Sequence, residues 1–205
     1  MTNKEFINQI APIIQKECKE RGYKYPSAII AQAILESGWG NSLLASKYYN
    51  YFGLKCGTKW QGKSVNMSTN EEYTTGTLTN IRDNFRVFDN MKEGVKGYFD
   101  FIGYNRYANL KQATSSLNYL KLIKQDGYAT SSKYVDNLYN VILQNNLMEW
   151  DNMKNNEPTN STVGLEKAID TIAEYVINGA FGNGETRKET IYKMVQDRVN
   201  EKLKR

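Results

Sequence analysis

A single carboxylate stands inside the apolar run Ala33-Ile34-Leu35-Glu36-Ser37, and the chain breaks straight after it at Gly38-Trp39-Gly40. The spacing predicts a helix from Pro26 to Trp39. Pro26 suits a first turn, Ile29, Ile30, Ala33, Ile34 and Leu35 are apolar nearly all round, and Gly38 and Gly40 stop it. Such a helix is mostly buried. At ~100° per residue Glu36 projects close to Ile29 and Ala33, toward the interior or a cleft. Desolvation there raises a carboxyl pKa. A carboxylic acid kept protonated near neutral pH is what general-acid cleavage of a glycosidic bond requires. A glutamate satisfied by a structural partner would leave the same trace in the sequence.

The second acidic feature is the pair Glu71-Glu72, in a stretch with strand character. Adjacent strand residues face opposite sides, so only one of the two can share a cleft with Glu36. The chain has no histidine, which excludes Ser-His-Asp and Cys-His catalytic sets and any His-containing metal site. Acid–base work therefore falls to carboxylates, with tyrosines as helpers, and neither a metal nor a cofactor is expected. Cys18 and Cys56 form no CxxC or ligand cluster and are expected to be free thiols.

These groups must be positioned by 205 residues, enough for one good core and a small second module. The net charge of +5 is local: residues 1–150 hold 18 Lys/Arg against 13 Asp/Glu, which suits an anionic partner. No clustered Lys/Arg surface of the kind that tracks nucleic-acid phosphates is present, whereas an acidic bacterial wall polymer fits. No stretch approaches the ~18 apolar residues of a membrane span, so no membrane insertion is expected. The N-terminus lacks the apolar core of a signal peptide. The expected location is the cytoplasm until release to the cell wall, or a secreted form with its signal removed.

Along the chain, Phe6, Ile7, Ile10, Ile13, Ile14 and Cys18 mark a helix from Lys4 to Arg21, ended by Gly22. A short helical turn follows at Ser42–Ala45, then a loop region with Gly57 and Gly62. Strands are expected at Glu72–Thr77 and Asn84–Phe88, with a turn between them. Helical patterns return at Met91–Ile102, Ser115–Gln125 and Lys133–Met148. Residues 151–163 are polar and turn-forming and read as a linker. Beyond them, Leu165, Ile169, Ile172, Ala173 and Val176 mark an amphipathic helix, Gly179–Gly184 a tight loop, and Ile191, Val195 and Val199 a last helix.

Helices around a small β lobe, with a glutamate at a helix end and an acidic pair on the lobe, describe a lysozyme-like cleft. The stretch Ala31-Gln32-Ala33-Ile34-Leu35-Glu36-Ser37-Gly38-Trp39-Gly40, followed by Asn50-Tyr51-Phe52-Gly53-Leu54-Lys55, resembles the glucosaminidases of glycoside hydrolase family 73. Glu72-Tyr73 leading into Phe85-Arg86-Val87-Phe88, then Arg106-Tyr107-Ala108, then Gly127-Tyr128-Ala129-Thr130 with Tyr134, agree in the same order. The resemblance implies hydrolysis of the β-1,4 bond after N-acetylglucosamine in peptidoglycan, with Glu36 matching the general acid. Glu72 matches the acidic residue of the β lobe, read either as a base activating water or as dispensable when the substrate's own acetamido group assists. Glu71 is its rival. Tyr107, Tyr128 and Tyr134 match aromatic positions near the cleft, where flat rings stack on sugars. Asn50 joins the substrate-binding candidates, with a loop-fixing hydrogen-bonding role as its alternative.

The tail, from Ile169-Asp170-Thr171-Ile172-Ala173 through Val176-Ile177-Asn178-Gly179-Ala180-Phe181-Gly182-Asn183-Gly184 to Val195-Gln196-Asp197-Arg198-Val199-Asn200, resembles the CW-seven cell-wall-binding repeat of lysins. It departs at Ala180, where a longer or basic residue is usual, and in a shortened connection before Val195. Within it, Arg187 is the candidate to meet the acidic stem of a muropeptide. The expected fold class is therefore α+β, a lysozyme-like helical domain with a small β lobe plus a small C-terminal three-helix module. The expected domains are a catalytic domain at 1–150, a linker at 151–163 and a wall-binding module at 164–205. An endolysin-like peptidoglycan hydrolase is the leading reading. A muramidase or lytic transglycosylase on the same fold, and a non-catalytic wall-binding protein, are its alternatives.

Overall fold

In a computed structural model the chain divides into two compact units, residues 1–153 and 154–205. The structure describes residues 1–74, 77–152 and 184–203 and the helical positions Ile172 and Val176; of residues 70–74, 77–79, 199 and 201–203 it describes the backbone alone. The first unit opens on α1 (Asn3–Arg21), whose first turn is closed by a reciprocal pair: Thr2 Oγ1 accepts from the Glu5 amide and the Glu5 carboxylate accepts from the Thr2 amide. Its buried stripe of Phe6, Ile10, Ile14 and Cys18 packs toward α2 (Pro26–Ser37).

α2 is the central element, buried from Pro26 to Ile34, and it packs against α1, α5 (Ser116–Gln125) and α6 (Tyr134–Gln144). It ends in a tight reversal at Gly38, Trp39 and Gly40, with φ of 55°, 61° and 74°. Gly40 is required twice over: its φ favours glycine, and a Cβ there would meet the Phe6 ring at 2.7 Å. α3 (Leu43–Tyr48) starts on a Ser42 cap, and a loop then leads to the β lobe. α4 (Met91–Ile102) lies close to that loop at Gly94, where a Cβ would fall 2.0 Å from the Tyr49 carbonyl oxygen.

The lobe is a two-stranded antiparallel ribbon of β1 (Ser64–Thr74) and β2 (Thr77–Arg86), in one register from Ser64 opposite Arg86 to Glu72 opposite Leu78 and shifted by one residue before Thr74 opposite Thr77. It corrects the strands expected at Glu72–Thr77 and Asn84–Phe88. Thr77 opens the second strand rather than closing the first, and the chain stays extended where a turn was expected. Both strands are polar at successive positions, such as Asn66, Ser68 and Thr69 or Arg82, Asp83 and Asn84, so no apolar alternation marks their ends. A second correction concerns α6, which stops at Gln144 rather than at Met148. Asn146 turns into the left-handed region at φ 52°, and Leu147–Asp151 forms a 3-10 turn packed on α2.

That 3-10 turn explains how α2 begins. Its own cap position, Tyr25, makes no side-chain capping bond. Instead Asp151 reaches back across the sequence: Oδ1 accepts from the Ser27 amide at 2.8 Å and Oδ2 from the Ser27 hydroxyl at 2.7 Å. A carboxylate on the free N–H groups of a helix start is favoured by hydrogen bonding and by the helix dipole. Burial nevertheless pushes the Asp151 pKa up to about 7, against the pull of the Ser27 bonds. Gln15 adds a second tie by donating to the Trp150 carbonyl at 2.8 Å.

In the second unit α7 (Gly184–Leu203) is described, carrying the Lys188–Glu185 pair at 2.7 Å. Tyr192, Met194 and Val195 are exposed along it, as is Ile172. Of the loop expected at Gly179–Gly184, residues 179–183 lie outside the described residues, and Gly184 opens α7. Cys18 is buried and Cys56 half-buried, and both are free thiols. Among the described residues no helix is long and apolar enough to cross a membrane.

Candidate active site

Glu36 sits one residue before the end of α2 and opens onto a cleft of about 1140 Å³. The cleft runs between Tyr128, in the bend after α5, and Tyr134, at the start of α6, on one side and the lobe residues Met67, Ser68 and Thr69 on the other. Taken as a whole residue Glu36 is exposed, open to the cleft, and the protein packed around the inner side of its carboxyl strips part of its hydration. Glu36 Oε1 accepts from the Tyr134 hydroxyl at 3.0 Å, and Gly53 faces Oε2, where an added Cβ would lie 3.7 Å away. Loss of hydration pushes the Glu36 pKa up to about 7, and the Tyr134 bond opposes the rise. A group with that pKa holds its proton near neutrality and can give it up, which is the property a general acid needs.

Behind Tyr134 lies a buried polar chain. Gln32 Nε2 donates to the Tyr134 oxygen at 3.0 Å, and Gln32 Oε1 accepts from Tyr98 at 2.6 Å. Tyr98 spends its hydrogen on Gln32, so Tyr119, 3.0 Å away, donates to Tyr98. Every hydrogen in this row points toward Glu36. Gln32, Tyr98 and Tyr119 are each fully buried, and burial raises both phenol pKa values well above the usual range.

The cleft floor is aromatic. Phe101 contacts Tyr107 at 5.3 Å and Tyr128 at 6.0 Å between ring centroids, and Tyr128 lies 6.3 Å from Tyr134. The Tyr128 hydroxyl donates to the Phe52 carbonyl at 2.8 Å, which fixes the Phe52-Gly53 turn beside Glu36.

The structure thus brings Glu36, Tyr128 and Tyr134 together, with Tyr107 in the same wall. Tyr107 is only 1% exposed, and the ring open to the cleft beside it is Tyr104, at 47%. Asn50 is a correction. It is buried, its Nδ2 donates to the Leu54 and Arg86 carbonyls, and its Oδ1 accepts from the Leu54 amide, all at 2.9 Å. No polar atom of that side chain is left for a sugar; it fixes the loop that carries Gly53. Glu71 and Glu72 stand next to one another on β1, opposite Thr79 and Leu78, and their side chains lie outside the described residues. Arg187 lies in the first turn of α7, half-buried.

The residues missed by sequence reasoning are Gln32, Phe101 and Tyr104. Gln32 carried a signal, being the one polar side chain between Ser27 and Glu36 on an otherwise apolar helix.

Comparison with known families places this arrangement. Residues 11–147 match the glucosaminidase family, described as mannosyl-glycoprotein endo-beta-N-acetylglucosaminidase. The chain belongs to the glucosaminidase family. Residues 170–203 match the CW_7 repeat. The chain is 31% identical over 147 residues to the peptidoglycan hydrolase FlgJ of Escherichia coli, covering 69% of this chain and 46% of that protein. It is 32% identical over 156 residues to the exo-glucosaminidase LytG of Bacillus subtilis, covering 73% and 53%. The chain therefore spans about half the length of these curated relatives. Among solved structures, a mutant peptidoglycan hydrolase from Sphingomonas sp. A1 superposes with a TM-score of 0.63 at 30% identity, covering 71% of this chain and 96% of that one. The mainly helical domain with a two-stranded lobe is the lysozyme-like fold of such hydrolase domains, and the family to which the chain belongs is one of glycoside hydrolases.

Proposed function

We propose that this glucosaminidase hydrolyses the β-1,4 bond after N-acetylglucosamine in bacterial peptidoglycan, with Glu36 as the general acid. The observation that carries the reading is the Glu36 carboxyl, open to the cleft and held by Tyr134, with desolvation pushing its pKa up to about 7. In its protonated form Glu36 donates to the glycosidic oxygen as the bond to the leaving sugar breaks. The carboxylate that results accepts the Tyr134 hydrogen bond, which stabilises the charge as it develops. The second contribution comes from Glu72 acting on water or from the acetamido group of the substrate, with Glu71 as the rival carboxylate. Tyr104 and Tyr128 offer ring surface to the glycan.

The C-terminal unit, by its CW_7 match, serves as a wall-binding module that takes a muropeptide, with Arg187 as the candidate contact to the acidic stem. Digestion of purified peptidoglycan, followed by mass spectrometry and reducing-end analysis of the released fragments, tests the assignment. Reducing-end N-acetylglucosamine supports it. Reducing-end muramic acid would make the protein a muramidase, an anhydro product a lytic transglycosylase, and wall binding without release of sugar a non-catalytic binder.

A further inference from the structure

Arg86, at the end of β2, is 6% exposed, yet none of its nitrogens pairs with a carboxylate among the described residues. The neighbouring lobe cations differ: Lys55 Nζ lies 3.0 Å from Asp83 and Lys63 Nζ 2.6 Å from Asp89. Arg86 Nε donates to the Lys55 carbonyl at 3.0 Å. Its guanidinium carbon lies 4.8 Å from the centre of the Trp60 ring and 5.5 Å from that of Phe101. Two aromatic rings and one carbonyl hold the group in place without neutralising it. The Nη groups make no hydrogen bond among the described residues, and Arg86 is one of the residues that line the cleft.

A guanidinium withdrawn from water and left without a counter-ion costs free energy that its surroundings must offset. Stacking on rings also leaves the planar edge free, and that edge matches a carboxylate with two parallel N–H···O bonds. The cation shares the Phe101 ring with Tyr128 and Tyr107, so it belongs to the same aromatic wall of the cleft.

We propose that Arg86 is an anion subsite of the cleft, which binds a carboxylate of the acidic peptide stem carried by the glycan strand. The inference rests on the peptidoglycan reading above and adds that stem recognition begins inside the catalytic unit. A strand bearing that carboxylate is bound more tightly than one whose carboxylates are neutral, and the difference passes through one side chain.

The test uses the full-length chain and soluble stem-bearing glycan strands in two forms, native and with stem carboxylates converted to amides by carbodiimide and ammonia. Wild type, Arg86→Met and Arg86→Lys are compared on both. Arg86→Met raises KM on native strands about ten- to hundredfold, the range of a charge-assisted hydrogen bond, and leaves KM on amidated strands near the wild-type value for them. Arg86→Lys keeps the charge but loses the fork, and falls between. The C-terminal unit is common to all three proteins, so the coupling between substitution and amidation isolates Arg86. If the two losses instead multiply independently, Arg86 is a structural strut and the proposal is overturned. Should Arg86→Met fail to fold, Arg86→Lys decides through the same coupling. Wild type releasing no sugar from either strand would overturn the peptidoglycan reading itself, a result distinct from a missing coupling.

Discussion

The Tyr134 hydroxyl hydrogen points at Glu36 Oε1 across 3.0 Å because the Tyr134 oxygen already accepts from Gln32 Nε2. The orientation of the acid's partner is thus set by Gln32, four residues before Glu36 on the helix that carries the acid.

Glu36→Gln keeps the shape of the side chain and removes the transferable proton. Turnover on peptidoglycan is expected to fall by at least ~10²–10⁴-fold, with wall binding unchanged. Residual activity within a few-fold of wild type, in the same fragment-release assay, would remove Glu36 from the mechanism.

The same substitution has an opposite effect on stability. Glu36 has a folded-state pKa of about 7 against an ordinary 4.5, so the folded state holds a proton that the unfolded state has lost. Its contribution to stability falls as pH rises through that window. Glu36 is open to the cleft, so solvent screening reduces the effect, and Glu36→Gln is expected to melt modestly above wild type at pH 8 and with it at pH 4. Thermal unfolding at the two pH values checks the sign.

Tyr134→Phe tests the hydrogen bond directly. The Tyr134 bond lowers the Glu36 pKa, so its loss raises that pKa further. An acid that must be protonated then works to higher pH, and the alkaline limb of the rate profile moves upward even as the maximum rate drops. A limb that stays in place would mean that another group sets it.

Chain ends near residue 150 make a sharp comparison. A protein ending at Met153 keeps Asp151 on the start of α2, whereas one ending at Trp150 loses it. The shorter form is expected to be less stable by roughly 1 kcal/mol, the usual cost of losing a helix cap, as read by denaturant unfolding. The form ending at Met153 is expected to cut short soluble glycans like the full chain but to clear intact cells more slowly, because it lacks the tether to the insoluble wall.

The parts of this molecule legible in its sequence are those decided locally. The start of α2 at Pro26, its stop at Ser37, two residues short of the expected Trp39, and the cleft-facing placement of Glu36 are decided by a dozen consecutive residues. The ribbon ends were obscure because β1 and β2 are polar on successive positions, such as Ser68-Thr69 and Arg82-Asp83-Asn84. Asn50 shows the same limit in another form: an asparagine beside a catalytic loop reads alike whether it faces a sugar or the Leu54 and Arg86 carbonyls. The tie between Asp151 and Ser27 spans 124 positions, and that between Gln32 and Tyr134 spans 102, so neither leaves a local pattern.

The row of hydrogen-bonded groups behind Glu36 ends at Tyr119, which has no exposed surface. It is a blind alley: no proton can enter from its inner end. Each proton that Glu36 spends must return through the mouth of the cleft, by the route the products leave. Reloading the acid and clearing the site are therefore sequential events at one doorway, and a product that lingers there also delays recharging.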